Sequence, residues 1–412
     1  MGDAEQLIVK IVHRMADIDA AAWDACANPE SASIGGDSAP TGDSAPTGDS
    51  AYDPFLSHAF LSALEESGSA SPQTGWTPHH LIMQDAEGIS LGCVPMYLKS
   101  HSRGEYVFDH GWADAFERAG GHYYPKLQIS IPFTPATGRR LLARPGPAME
   151  LIEDHLLAAV IEVAQRAKIS SAHFTFLTER QAARLGTHGL LLRTDQQFHW
   201  QNRGYGSFDD FLNDLASRKR KNLKKERQRA LENGIEIDWL TGDSLTEDHW
   251  DAFFRFYLDT GGRKWGTPYL TRKFFSLINE TMADDILLIM AKRGGRYIAG
   301  ALNFIGSQTL FGRNWGALED HPFLHFECCY YQAIDFAISR GLSRVEAGAQ
   351  GPHKLARGYL PMKTCSAHYI ANPAFREAVE DYLQRERAYV DRDIAILSDH
   401  SPFRRNPDSD QD

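Results

Sequence analysis

The segment from Leu310 to Pro361, LFGRNWGALEDHPFLHFECCYYQAIDFAISRGLSRVEAGAQGPHKLARGYLP, holds more ionisable and polar side chains than a plain hydrophobic core needs. Arg313, Glu327, Tyr331, Gln350, His353, Lys354 and Arg357 fall where a strand–helix–strand frame would bring them to one cleft. Such a set suits an enzyme site. Arg313 and Trp315 alternate on a predicted strand, so the spacing points both to one face. Glu327 belongs to the first turn of the next helix. There it either offsets the helix dipole or presents a carboxylate to an amine. Tyr331 follows one turn later on the same face and would supply a donor to an oxyanion. Beyond the next strand, GAQGPHKLARG sets Gly348, Gly351 and Gly358 among the donors Gln350, His353, Lys354 and Arg357. A cationic loop after a strand end suits a carboxylate or phosphate. His353, with a reference pKa of about 6.5, is a second candidate base. The expected catalytic residues are therefore Glu327, His353 and Tyr331. Arg313, Trp315, Gln350, Lys354 and Arg357 are expected to bind substrate.

Two other stretches could hold anions. In IPFTPATGRRLL, Ile131–Leu142, a strand ends and a short loop with Thr134, Thr137 and Gly138 leads into Arg139 and Arg140. Free backbone N–H groups and a glycine let a pyrophosphate approach. The alternative is a capped turn with surface arginines. The second stretch, SRKRKNLKKERQR at Ser217–Arg229, has eight Lys or Arg and one Glu. It continues a helix opened by Ser207 with Asp210 three residues on, a capping box, and spans residues 208–233. Arg220, Lys221, Lys224 and Lys225 on it would attract phosphate-rich material such as tRNA. The alternative is a solvated helix face. No aromatic residues are interleaved, so base stacking is not indicated.

The elements that must position these groups alternate between strand and helix patterns. Strands are predicted at 79–84, 89–98, 126–133, 171–177 and 190–200, with a helix over 148–167 at 3.6-residue spacing. The second half repeats the order. Helices at 248–259 and 271–282 precede strands at 286–292 and 297–306, joined at Gly294–Gly295. A strand at 308–315, a helix at 326–339, strands at 344–347 and 367–370 and a closing helix from 373 complete it. Two domains, 1–200 and 207–400, are the simplest account, with a flexible tail at 401–412. Residues 31–50 contain DSAPTG twice in tandem and cannot bury a core, so they form a low-complexity insert expected to be disordered.

Composition limits the function. A length of 412 residues suits two domains. A net charge of −11 argues against global attraction to nucleic acid or anionic membranes, so such contact must come from a local patch. No apolar run approaches the roughly 20 residues of a membrane span. The five cysteines, Cys26, Cys93, Cys328, Cys329 and Cys365, match no zinc or redox spacing and are expected to be reduced thiols of a cytoplasmic protein. There is no GxxxxGK[ST], HExxH or GxSxG motif and no dinucleotide fingerprint, and metal chemistry has no support.

Four strings, KLQISIPFTPATGRRLL, SRKRKNLKKERQRALENGI, LFGRNWGALEDHPFLHFECCYYQAIDFAI and EAGAQGPHKLARGYLPMKTCSAHYI, resemble the FemAB-like acyltransferases of the GNAT superfamily, in a group of peptidoglycan biosynthesis/recognition proteins. The likeness covers nearly the whole chain outside the insert. It implies an α/β fold of tandem duplicated GNAT-like domains and transfer of an acyl or aminoacyl group to an amine. The implied co-substrate is acyl-CoA or aminoacyl-tRNA. The implied acceptor is a peptidoglycan-type peptide or a small amino compound. GNAT enzymes hold CoA pyrophosphate with Q/R-x-x-G-x-G/A. In the second domain ALEDHPFLHF replaces it and is acidic. If CoA binds, the first domain is expected to hold it through Thr134, Thr137, Gly138 and Arg139. A non-catalytic protein that recognises cell-wall peptide or RNA on a degenerate GNAT scaffold is the other reading.

Overall fold

The computed structural model describes residues 7–29, 51–264, 268–348 and 351–404. The expected insert at 31–50, the candidate Gln350 and the last eight residues lie outside the described residues. The chain divides into two compact units. Unit 1 is Met1–Asp195 with Tyr269–Ile278 and Thr364–Val390, and unit 2 is Gln196–Pro268 with Asn279–Lys363 and Asp391–Asp412. Neither unit is a continuous stretch, unlike the expected 1–200 and 207–400.

In unit 1, β1 (Ile8–Val12), α1 (Ala20–Ala27), α2 (His58–Glu66), β2 (Trp76–Pro78), β3 (His80–Gln84), β4 (Ser90–Val94), β5 (Met96–Lys99), α3 (His110–Arg118), β6 (Lys126–Ile129), β7 (Leu142–Ala143), α4 (Met149–Arg166), β8 (Ser171–Leu177) and α5 (Glu179–Thr187) follow in order. One sheet runs β1-β3-β4-β7. A second pairs β2 with β5, β5 with β6, β6 with β8 in parallel, and β8 with Cys365–Ile370. Period-two alternation divides this second sheet into two faces. Leu127, Ile129, Ala172, Phe174 and Ala367 face a core built with Leu156, Leu157 and Val160 of α4. Tyr97, Lys99, Lys126, Gln128, Ser171, His173 and His368 occupy the alternate positions, all buried. Register sets Lys99 opposite Lys126, Tyr97 opposite Gln128, and His173 between Gln128 and His368.

Ionic contacts within unit 1 satisfy part of this polar face. Lys126 donates to Asp109, to Glu105 at 2.7 Å and to Ser102 at 2.8 Å. Lys99 stands 3.6 Å over the Trp76 ring. Burial pushes Lys99 down to about 7 and Glu105 up to about 7. Burial also opposes the charge on Asp109, but Lys126 holds that carboxyl below its ordinary range.

In unit 2 the C-terminal half of β9 (Leu191–Gln201) leads to α6 (Phe208–Asp214), α7 (Ser217–Ala230), β10 (Ile235–Leu240) and α8 (Glu247–Lys264). After α9 (Arg272–Met282), whose residues to Ile278 belong to unit 1, come β11 (Ile286–Arg293), β12 (Arg296–Ile305) and β13 (Thr309–Ala317) of unit 2. A helix in three parts follows: α10 (Leu324–Phe326), a π-helical turn at Glu327–Tyr331, and α11 (Gln332–Ser339). The last elements of the chain are β14 (Arg344–Glu346) in unit 2, then β15 (Leu360–Ile370) and α12 (Pro373–Asp399), of which Thr364–Val390 belongs to unit 1. Strand order is β10-β11-β12-β13-β14-β9, with β13 and β14 parallel. Each unit thus has an antiparallel meander, a crossover helix and a parallel strand. This is a duplicated α/β layout, as the resemblance implies.

Several expected boundaries shift for local reasons. The helix expected over 208–233 is two helices. Ser207 caps the first by accepting from Asp210 N at 3.1 Å. The chain then turns extended at Leu215, which bridges to Phe403, while Ala216 N donates to Pro402 O at 2.9 Å. Part of the expected flexible tail is therefore built in, and Phe403 is buried. β6 stops at Ile129 rather than Phe133. β10 went unread, although Ile235, Ile237 and Trp239 alternate with Glu236 and Asp238.

Candidate functional site

The parallel pair β13–β14 is short. It joins Thr309 to Arg344, Leu310 to Val345 and Phe311 to Glu346, and there β14 ends. β13 runs on to Ala317 with β12 on one side. On its other side no described strand pairs with Gly312–Ala317, so the two strands part as a fork. Backbone comes close at its vertex. A Cβ on Gly312 would sit 3.3 Å from Glu346 O and 3.4 Å from Asn303 Oδ1.

Glu346 stands at this vertex and is 3% exposed. Neither of its oxygens receives a hydrogen bond among the described residues. Arg344 Nε is 3.5 Å from one oxygen and His199 Nε2 is 3.9 Å from the other, both outside good hydrogen-bond reach. Burial pushes the Glu346 carboxyl up to about 7, against the pull of Arg344 and Arg313. Across the antiparallel pair lies His199, whose ring burial keeps neutral down to about 3. Its Nε2 lies 3.2 Å from Gln197 Oε1, an acceptor, so that nitrogen carries the proton. Sequence reasoning missed Glu346 and His199. The one signal was alternation in RVEA: Val345 joins the core with Leu310, which turns Glu346 to the other face.

Of the expected residues, Gln350 lies outside the described residues and Lys354 is anchored at this strand end. Lys354, 2% exposed, donates to Ala347 O at 2.5 Å and Gly348 O at 2.9 Å, and so fastens the chain just past β14. Burial lowers its ammonium to about 8. His353 Nε2 lies 2.9 Å from the Tyr330 hydroxyl. Burial, Arg357 and Lys354 together depress His353, so its ring is neutral near pH 7. Arg357 donates to His353 O at 2.8 Å and to Glu226 Oε2 at 2.9 Å, and its guanidinium lies 3.5 Å from the Phe326 ring centre. Tyr331 donates to that same Glu226 oxygen at 2.5 Å. Burial raises the Tyr330 and Tyr331 phenols, so both remain protonated donors. Trp315 packs edge-on to His325, and His325 in turn to Tyr330.

Glu327 and the pairing of Arg313 with Trp315 depart from the expectation. Glu327 is fully enclosed. It accepts from Arg227 at 2.8 Å and Gln332 at 2.7 Å, and Arg227 also pairs with Asp335 at 2.7 Å. The π turn points Glu327 inward, where its carboxylate anchors α7 instead of facing an amine. A register slip opposite Leu302/Asn303 separates Arg313 from Trp315. The core-facing residue changes from Leu310 to Trp315 and Ala317, an odd step that only a bulge allows. Arg313 consequently acts on Glu346, while Trp315 joins the ring cluster.

On α7, Lys221 and Lys225 are exposed, Arg220 donates to Asn213 at 3.1 Å and Lys224 pairs with Asp209 at 3.1 Å. The expected anion loop of unit 1 is buried. Thr134 Oγ1 donates to Pro132 O at 3.0 Å, Arg139 donates to Ala27 O, and Gly138 N donates to Phe176 O at 2.9 Å. A Cβ on Gly138 would lie 2.7 Å from Asp53 Oδ2, so its neighbour is a carboxylate. Thr137 lies between these anchored residues. An incoming pyrophosphate would meet engaged donors and a negative charge.

A sequence model of the FemAB-like family, described as peptidoglycan biosynthesis/recognition, matches residues 14–405. The chain belongs to this family. No curated protein matches this FemAB-like chain significantly. Among solved structures it is similar to FemX, with 12% identity, 77% of this chain and 93% of that one covered, and a TM-score of 0.49. A tandem GNAT protein from the clavulanic acid biosynthesis pathway is 12% identical, with 89% and 99% covered and a TM-score of 0.45. L-PGS from Bacillus licheniformis is 9% identical, with 82% and 99% covered and a TM-score of 0.47. Among the described residues of this FemAB-like chain, no helix is long and apolar enough to cross a membrane, and no group of His, Cys, Asp and Glu could hold a metal ion.

Proposed function

We propose that the protein is an acyl- or aminoacyltransferase that forms an amide on an amine acceptor, a peptidoglycan-type peptide or a small amino compound. One observation carries this reading: the β13–β14 fork of unit 2 leaves a stretch of strand edge without a described strand partner beside a buried carboxyl that receives no hydrogen bond among the described residues. An extended acceptor peptide can add its own amides to Gly312–Gly316, as a peptide adds to a sheet edge. Backbone N–H groups there are candidates for holding the oxyanion of the tetrahedral intermediate. Tyr330 and His353, 2.9 Å apart, supply a protonated phenol and a neutral imidazole nearby. Arg357 and Lys354 hold the loop that carries His353.

Of the two donor classes, an aminoacyl ester on tRNA suits the chain better than a CoA thioester. Arg139 and Gly138 are engaged with backbone carbonyls, whereas Lys221 and Lys225 on α7 are exposed. The same engaged loop gives some support to a non-catalytic recognition protein.

Calorimetry of acetyl-CoA and bulk tRNA in parallel, followed by turnover with the donor that binds, tests the proposal. The expected result is tRNA binding that weakens steeply with salt and disappears when Arg220, Lys221, Lys224 and Lys225 are changed to Glu. Binding of tRNA without amide formation from aminoacyl-tRNA on any amine would favour the recognition reading.

A further inference from the structure

We propose that Glu346 is the proton acceptor of the transfer, touching the attacking nitrogen at the vertex of the β13–β14 fork. This deepens the transferase reading and rests on it. Leaving one buried hydrogen-bonding group unmatched costs about 1–3 kcal/mol, more for a charged group. Glu346 presents two unmatched oxygens. The strand positions around it offer groups that could have matched them. Arg344 is two residues away on β14, Arg313 lies on β13, and His199 is directly across on β9. Arg344 stops at 3.5 Å and also donates to Thr309 Oγ1 at 2.7 Å. His199 stops at 3.9 Å with its proton aimed at Gln197. The surroundings therefore hold the carboxyl in place without capping it. Buried carboxyls with strongly perturbed titration cluster at functional sites.

The chemistry balances without another reactant. A neutral primary amine attacks the carbonyl carbon of an ester or thioester, and the C–N bond forms as the carbonyl pair moves to oxygen. The nitrogen, now positively charged, passes one proton to Glu346. The carbonyl re-forms, the C–O or C–S bond breaks, and the protonated Glu346 returns its proton to the leaving alkoxide or thiolate. The products are an amide and an alcohol or thiol, and Glu346 ends as a carboxylate. A carboxyl that titrates near neutrality can both take and return a proton at pH 7. The charged and titratable groups facing it are Arg344, Arg313 and His199. His199 stays neutral well below that range, so it does not titrate alongside the carboxyl.

Two readouts on wild type, Glu346→Gln and Glu346→Asp test the role. Infrared difference spectra across pH 5–9 follow the carboxyl itself and need no substrate. The wild type should show two carboxyls titrating at about 7, Glu105 and Glu346, and Glu346→Gln should lose one of them. Turnover is measured with acetyl-CoA and with aminoacyl-tRNA. Glu346→Gln should lose at least about a hundredfold in kcat, with the KM for the donor within about threefold. The acid limb of the wild-type kcat/KM profile should lie near 7, persist in Glu346→Asp and vanish in Glu346→Gln. Melting should show Glu346→Gln at least as stable as wild type, because no hydrogen bond is lost. Turnover of Glu346→Gln within about threefold of wild type, or an acid limb it retains, overturns the assignment. If wild type uses neither donor, the transferase reading falls and the role falls with it, even where the spectra show the titration.

Discussion

The two units contain the same fork, and they treat it in opposite ways. In unit 1, β6 and β8 pair in parallel from Leu127↔Ala172 to Ile129↔Phe174, and then β6 ends. The carbonyls left open are filled from within. The buried Arg140 guanidinium donates to Thr175 O at 3.0 Å, Arg139 O at 2.8 Å and Ala136 O at 2.7 Å. Gly138 then returns the chain to Leu177. In unit 2 the Glu346 carboxyl at the fork receives no hydrogen bond among the described residues. A duplicated scaffold has thus kept one copy as a sealed support and one with an unmatched functional group. An arginine next to a glycine in a strand–loop turn reads in sequence as an anion site, yet here it holds the fold.

The largest effects should come from unit 1. Arg140→Met removes three hydrogen bonds from buried carbonyls and should cost about 3–5 kcal/mol by urea unfolding. Lys126→Met leaves Glu105 and Asp109 buried without their shared cation and should cost a similar amount. Glu346→Gln, equally buried, should cost nothing measurable. Equal losses at both forks would erase the contrast.

Arg227→Met should fall between these extremes, at about 3 kcal/mol, since it strands the enclosed Glu327. If Glu327 were the base, Glu327→Gln would stop turnover while leaving stability alone. The anchoring role predicts the reverse, a loss of stability with turnover of the folded fraction retained.

Stability against pH sharpens the comparison further. His173 and His199 are held at about 3 by burial, and His368 well below its ordinary value. These depressed groups stabilise the fold above their ordinary 6.5 and lose that contribution as pH falls toward 3. Glu105 and Glu346 are raised to about 7 from 4.5. Their contribution is full below 4.5 and is lost as pH rises through 7. Between pH 6.5 and 4.5 the two sets oppose each other. Below 4.5 the histidines act without that opposition, at up to about 1.4 kcal/mol per pH unit each. Urea midpoints should fall slowly at first and then steeply. In Glu346→Gln the decline should begin nearer pH 6.5, and an unchanged curve would deny the raised carboxyl. The smallest expected effect is that of Lys221→Glu with Lys225→Glu on the exposed face of α7, within about 0.5 kcal/mol in stability.

The sequence made the repeating framework legible because strand and helix periods are local. The cluster of His353, Lys354, Arg357 and Tyr331 was legible for the same reason: one helix and one loop carry it. What escaped depends on distant partners. The break at Leu215 is imposed by Phe403, nearly two hundred residues later. The bulge that parts Arg313 from Trp315 is a property of two strands together. Glu327 reads as a helix-start carboxylate until Arg227 is seen against it. Glu346 looks like one more charge in RVEA, because its burial and lack of partners arise only where β13 and β14 separate.

The most direct measurement is the single-turnover rate of Glu346→Gln beside wild type at saturating donor, in the folded protein at pH 7. A fall of at least about a hundredfold with unchanged donor affinity is the predicted result. Equal rates would contradict the placing of the chemistry at the open fork.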